Sequence, residues 1–132
     1  MNATSDALSL IGRILLAVIF LVSGFGKING FEGLIGAIAS KGFPAAQVFA
    51  VATIVIELGA GLMLVFGWKA RWAALLLAGF TAIVTMFFHN FWALPEAQKM
   101  MEQIQFMKNL ALIGGLLMVM AFGPGRLSVD KR

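Results

Sequence analysis

Four long apolar segments, separated by short polar stretches, dominate the 132-residue sequence. Each segment has about the 20 residues that an α-helix needs to cross a hydrocarbon core about 30 Å thick. The sequence therefore predicts an all-α integral membrane protein: an antiparallel bundle of four transmembrane helices in a single domain over residues 1–132. The helices are expected at about residues 8–26, 45–66, 72–89 and 106–122.

The loops add two expectations to this bundle. In the first loop, apolar residues recur at helical spacing, at Phe31, Leu34, Ile35 and Ile38. This spacing predicts a short interfacial helix on the membrane surface. Before the fourth segment, Pro95 and Glu96 suit the start of a helix. That helix is expected to continue into the fourth segment, with its first turns outside the hydrocarbon.

Composition supports the membrane assignment. The chain is 61% hydrophobic and 12% charged, with a mean hydropathy of +0.95. A soluble domain of this size buries only about two-thirds of its unfolded surface, so a bilayer must cover the apolar excess. The absence of cysteine excludes disulfides, thiolate metal sites and c-type haem attachment. The net charge of +4 comes from cations scattered among loops and helix ends, which argues against nucleic acid as a partner.

The distribution of Lys and Arg predicts the orientation. With both termini in the cytoplasm, the inner side holds Arg13, Lys69, Arg71, Arg126, Lys131 and Arg132, and the outer side holds Lys27, Lys41, Lys99 and Lys108. The positive-inside rule therefore favours cytoplasmic termini. The first segment also fits a secretory signal peptide loosely, but three more apolar segments follow it.

Charged residues inside the apolar segments indicate a candidate site, because each costs about 2.5–3.5 kcal/mol at a helix centre. They recur at helical spacing, so each helix has one polar stripe, and the four stripes should face one another. The candidate ligand-binding residues are Arg13, Lys27, Glu57, His89, Lys108 and Asn109. Three cations and an imidazole around one buried acid predict an electropositive site, which suits an anionic ligand or the carbonyl oxygens of a quinone.

A purely structural role is the alternative interpretation of the same candidate residues. Glu57 paired with Arg13 or a lysine would staple helices together. Lys27 and Lys108 lie near helix ends, where lysines snorkel to headgroups, and His89 suits an interfacial hydrogen bond. Methionines near His89 are soft ligands for copper(I), but methionine is common packing filler, so we predict no metal site.

A combination of short motifs resembles the DoxX family of bacterial inner-membrane proteins over almost the whole chain. The motifs are FLVSG at 20–24, KGFP at 41–44, ELGAG at 57–61, FH at 88–89, KNLALIGG at 108–115 and GPG at 123–125. The resemblance implies a four-helix membrane fold. It also implies that the six candidate residues occupy the family's recurring polar positions. Family members include the small subunit associated with thiosulfate:quinone oxidoreductase, and others are linked to quinone, catechol, thiol or oxidative stress.

Three functions follow as hypotheses. The first is a quinone or phenol site in a membrane redox or oxidative-stress system, served by an accessory subunit rather than a stand-alone enzyme. No cofactor is built in, because the sequence has no flavin or nucleotide motif and a single histidine. Electrons would come from a soluble or membrane oxidoreductase partner. The alternatives are a non-catalytic scaffold or assembly factor, and a small carrier for an anion or aromatic acid, for which a homo-oligomer would be needed.

Overall fold

The computed structural model describes residues 2–132 and contains helices and turns but no strands over that range. Five helices follow one another: α1 (Ala3–Asn29), α2 (Phe31–Ser40), α3 (Ala46–Phe66), α4 (Ala70–Phe88) and α5 (Glu96–Phe122). A single 3-10 turn, Phe91–Ala93, lies between α4 and α5. In this part of the chain, α1, α3, α4 and α5 are long and apolar enough to cross a membrane. The predicted four-helix architecture is confirmed, and the short helix in the first loop is present as α2.

Two helices begin well before the apolar segments that predicted them. α1 begins at Ala3, five residues before the first apolar segment, because the Asn2 side chain accepts a hydrogen bond of 2.8 Å from the Ser5 backbone N–H. α5 begins at Glu96, immediately after Pro95, and runs without a break into the fourth apolar segment as expected. Its mostly polar first turns therefore extend the helix beyond the apolar run.

Small residues allow the helices to pack closely. The buried core consists of Phe20, Leu64, Leu77, Leu116 and five alanines, Ala17, Ala60, Ala73, Ala74 and Ala78. Small side chains let helix backbones approach in a bilayer, where apolar burial between helices gives little driving force. Large apolar side chains instead cover the outer surface, including Val22, Phe25, Ile83 and Leu117. This arrangement is typical of a bundle that faces lipid.

α3 is interrupted by one π-helical turn at Ile56–Ala60, between the α-helical parts Ala46–Val55 and Gly61–Phe66. Glu57, the buried acid predicted from the sequence, lies in this turn. A π turn takes up one extra residue, and such turns are frequent at functional sites.

The ten residues after α5 fold back over one end of the bundle. This C-terminal segment, residues 123–132, donates a hydrogen bond of 2.9 Å from Val129 N–H to the Phe66 carbonyl oxygen. The Asp130 carboxylate accepts bonds of 2.8 and 2.9 Å from the N–H groups of Lys69 and Ala70. The segment thus caps the start of α4 and satisfies the last carbonyl groups of α3.

Candidate functional site

A polar cavity of about 110 Å³ lies between α1, α3, α4 and α5. Its polar wall consists of Ser23, Lys27, Glu57, Thr81, His89, Lys108 and Asn109, and Ile19, Phe20, Phe80, Val84 and Leu112 complete it. Five of the six residues predicted from the sequence therefore meet in one place. We call this space the polar cavity.

An ion pair crosses the polar cavity from α1 to α3. The Lys27 ammonium group contacts Glu57 Oε1 directly and donates a second hydrogen bond of 3.1 Å to Ser23 Oγ. The Glu57 side chain is only 4% exposed, whereas that of Lys27 is 28% exposed. The sequence left Arg13 and the lysines as alternative partners for this acid, and the structure selects Lys27.

Close helix packing at Gly24 brings this pair together. A Cβ atom on Gly24 would lie 2.9 Å from Leu58 Cγ and 3.2 Å from Glu57 Cβ, so only glycine lets α1 approach α3 this closely. One turn further along α1, Lys27 can then reach the carboxylate.

A hydrogen-bonded chain links α5 to α4 beside the polar cavity. Asn109 Nδ2 donates a bond of 2.9 Å to Thr85 Oγ1, which in turn donates a bond of 2.6 Å to the Thr81 carbonyl oxygen. The Thr81 hydroxyl itself is buried, and within residues 2–132 it has no hydrogen-bond partner. A buried unpaired hydroxyl costs free energy, so a ligand oxygen or a water molecule that reached this group would gain a hydrogen bond.

At the rim of the polar cavity, His89 Nδ1–H donates a bond of 2.6 Å to Glu102 Oε2. Sequence reasoning missed Glu102, although it lies seven residues before Asn109 and therefore on the same face of α5. This second acid changes the charge of the site. The two lysines and two glutamates cancel, so the expected net positive charge is absent while His89 is neutral.

Lys108 lies at the outer edge of the polar cavity. Its ammonium group donates a hydrogen bond of 2.6 Å to Gln105 Oε1 and has no carboxylate partner in the described part of the chain. The side chain borders both the polar cavity and an outward-facing hollow lined by Met100, Ile104 and Met107. It is thus the cation most free to contact a ligand.

Arg13 does not belong to the site, which corrects the sequence prediction. It is 2% exposed, and its guanidinium group donates to the carbonyl oxygens of Pro124, Leu127 (2.8 Å) and Val65 (3.2 Å). These acceptors lie in the C-terminal segment and at the end of α3. Arg13 therefore holds the far end of the bundle together.

An apolar groove of about 490 Å³ adjoins the polar cavity between the first loop, α3 and α4. Phe80 and Val84 line both spaces. Thr53, one turn before Glu57 on α3, contributes a polar side chain to this groove. The groove lies between the polar cavity and the lipid-facing surface, with Phe80 and Val84 at the border of the two spaces.

The family model for DoxX matches residues 8–90 of this chain. The chain belongs to the DoxX family. The matched range includes Lys27, Glu57 and His89, whereas Lys108 and Asn109 lie beyond it. With four apolar helices and inner-membrane relatives, this DoxX protein is a multi-pass inner-membrane protein.

Two Escherichia coli proteins resemble the DoxX protein over nearly their whole length. Inner membrane protein YqjF is 35% identical over 99% of this chain and 95% of its own, and inner membrane protein YphA is 32% identical over 99% and 94%. A Surfeit locus protein 4 homolog of Drosophila melanogaster is 27% identical over 98% of this chain but only 42% of its own length. No solved structure matches the DoxX protein with significance.

Proposed function

We propose that this DoxX protein binds a quinone or phenol from the bilayer in the polar cavity, as an accessory subunit of a membrane redox or oxidative-stress system. The observation that carries the proposal is the unpartnered, buried Thr81 hydroxyl in the cavity wall. It offers a donor to a ligand oxygen, and the Lys108 ammonium group offers a second. A quinone or a phenol has oxygen atoms that can accept hydrogen bonds from these two donors.

The size of the polar cavity supports a small ring rather than a large ligand. Pockets for drug-sized molecules measure about 300–1,000 Å³. At about 110 Å³, the polar cavity has room for a ring with its oxygens and little more. The adjoining groove of about 490 Å³ would take an apolar tail.

The groove also supports entry from the lipid. It is lined by apolar side chains apart from Thr53, and it meets the polar cavity at Phe80 and Val84. A ligand dissolved in the bilayer could thus reach the donors without crossing water.

Both termini are proposed to lie in the cytoplasm. In this orientation His89 and Glu102 lie at the outer rim of the polar cavity, where they would exchange protons with water. Electrons would come from an oxidoreductase partner.

Thermal unfolding of the detergent-purified protein with a panel of short-chain quinones tests the proposal. A ligand that binds only the folded state adds about 2.7 kcal/mol of stability at a hundredfold excess over its dissociation constant. Thr81→Val and Lys108→Ala should reduce that stabilisation. Lys99→Ala, which lies outside both the polar cavity and the groove, is the control and should retain it.

A structural scaffold is the second candidate, and the buried Lys27–Glu57 ion pair favours it. In that case no quinone would stabilise the wild type, and Glu57→Gln would lower the yield of folded protein without changing any ligand response. Stabilisation by a quinone that is equal in wild type, Thr81→Val and Lys108→Ala would likewise remove the polar cavity as the binding site.

A further inference from the structure

A second polar cavity lies at the opposite end of the bundle from the quinone site. Its volume is about 450 Å³, and it is formed by the start of α4 and the C-terminal segment. The residues that line it are Lys69, Arg71, Trp72, Pro124, Asp130 and Arg132. Half of these side chains are cations and one is an acid. We call this space the basic cavity.

The cations of the basic cavity are not neutralised by the protein. Both carboxylate oxygens of Asp130 accept backbone N–H groups at the start of α4, at 2.8 and 2.9 Å. Among residues 2–132, neither Arg71 nor Arg132 forms an ion pair, and Lys69 lies over the Trp68 ring, 5.1 Å from its centre. Positive charge remains in excess even when the main-chain carboxyl group of Arg132 is counted as ionised.

The basic cavity lies at headgroup depth. α3 ends at Phe66 and α4 begins at Ala70, so the chain leaves and re-enters the hydrocarbon within these few residues. Trp68 and Trp72 are exposed there, as in the aromatic belts of membrane interfaces. The anions concentrated at this depth are lipid phosphates.

We propose that the basic cavity binds the phosphate group of an anionic phospholipid. Basic pockets between transmembrane helices bind such headgroups, and a guanidinium group can bond a phosphate through two parallel N–H donors. Arg71 and Arg132 are the principal phosphate ligands, and Lys69 adds a third charge. The lipid would brace the C-terminal segment against α4. This site is independent of the quinone proposal, because the two cavities share no residue.

Titration of the delipidated full chain in detergent, followed by native mass spectrometry, tests the site. Phosphatidylglycerol should bind more tightly than zwitterionic phosphatidylcholine. Each cation near a membrane surface contributes about fivefold in affinity for anionic lipid, so the double variant Arg71→Gln/Arg132→Gln should bind phosphatidylglycerol about thirtyfold more weakly. The control Lys41→Gln/Lys99→Gln removes the same charge at the opposite end and should bind like wild type.

Equal binding of the two lipids, or unchanged binding by the Arg71→Gln/Arg132→Gln variant, would overturn the proposal. Competition by inorganic phosphate at equal concentration would instead identify a soluble anion as the ligand and would refute the lipid. If the double variant does not fold, the single variant Arg71→Gln tests the proposal, and its affinity for phosphatidylglycerol should be about fivefold lower than that of the wild type. Arg71 forms no hydrogen bond with another described residue, so this single change should leave folding intact.

Discussion

Removing Lys27 should destabilise the bundle more than removing the charge of Glu57, because the two side chains differ in burial. Glu57 is 4% exposed and Lys27 is 28% exposed. Lys27→Met leaves the Glu57 carboxylate buried without a counter-charge, and breaking a buried pair in this way costs about 3–5 kcal/mol. We expect about 3 kcal/mol, the lower end, since the cavity of about 110 Å³ can admit water to the carboxylate.

Glu57→Gln instead leaves the Lys27 ammonium group without its carboxylate partner, but this group keeps other polar contacts. Lys27 retains the Ser23 hydroxyl at 3.1 Å, and its flexible stem lets the ammonium group move towards water. Glutamine also keeps an oxygen that can accept a hydrogen bond. We therefore expect a loss of about 1–2 kcal/mol, close to the largest values for interhelical hydrogen bonds in membranes, about 1.7 kcal/mol.

Reversible unfolding in mixed detergent micelles, followed by circular dichroism, measures the free energy of unfolding of each variant. With the double variant added, the same data complete a double-mutant cycle. The coupling energy between the two positions should exceed about 1 kcal/mol, above the average of about 0.6 kcal/mol for interhelical hydrogen bonds. Lys41→Met, at an exposed lysine, is the control and should cost less than about 0.5 kcal/mol. A Glu57→Gln variant that is as unstable as Lys27→Met would refute the argument from burial.

Three further predictions concern packing and the chain end. Gly24→Ala should cost about 1–3 kcal/mol in thermal unfolding, because its Cβ would meet Leu58 at 2.9 Å, whereas Gly26→Ala, with nothing within 4 Å, should be neutral or stabilising. Arg13→Lys should release the C-terminal segment, since one ammonium group cannot serve three carbonyl oxygens in different directions; faster amide hydrogen exchange after Gly123 would show it. Asp130→Ala should cost about 1 kcal/mol through loss of the α4 cap, and an unchanged unfolding midpoint would contradict this.

Hydropathy was sufficient to predict the four membrane-spanning helices, because a bilayer forces every spanning segment to be both long and apolar. Helix ends outside the hydrocarbon are not constrained in this way. The start of α1 depends on one hydrogen bond from Ser5 to Asn2, and the start of α5 is mostly polar rather than apolar. A hydropathy pattern detects neither feature.

Helical spacing brought five candidate residues to one cavity, with Lys108 exposed at its outer edge, but Arg13 lies too far along α1 to join them. Arg13 and Lys27 share a stripe on α1, yet 14 residues at 1.5 Å each separate them by about 21 Å along the helix. Arg13 therefore reaches the far end of the bundle and never meets Glu57. Its partners are backbone carbonyl groups, which carry no sequence signature.

The acidic partner of His89 was missed for a different reason. Glu102 lies in the first turns of α5, before the apolar run that marks the fourth segment. Extending the polar stripe of Lys108 and Asn109 back by two turns would have reached it. The charge of the site depends on Glu102 and on the position of Arg13. An inventory that counted Arg13 and stopped at the apolar segments predicted an electropositive site, whereas the formal charges of the two lysines and two glutamates cancel.

The π turn in α3 has an evolutionary consequence. A helix with one extra residue at Ile56–Ala60 consists of two halves whose faces are out of register with each other. The half before the turn lines the apolar groove, and the half after it, with the buried Gly61 and Leu64, packs into the core. Substitutions at Phe49, Ala52 or Thr53 would therefore reshape the groove from the half that does not carry Leu64, so that homologues could diverge in the ligands they accept and still retain the core.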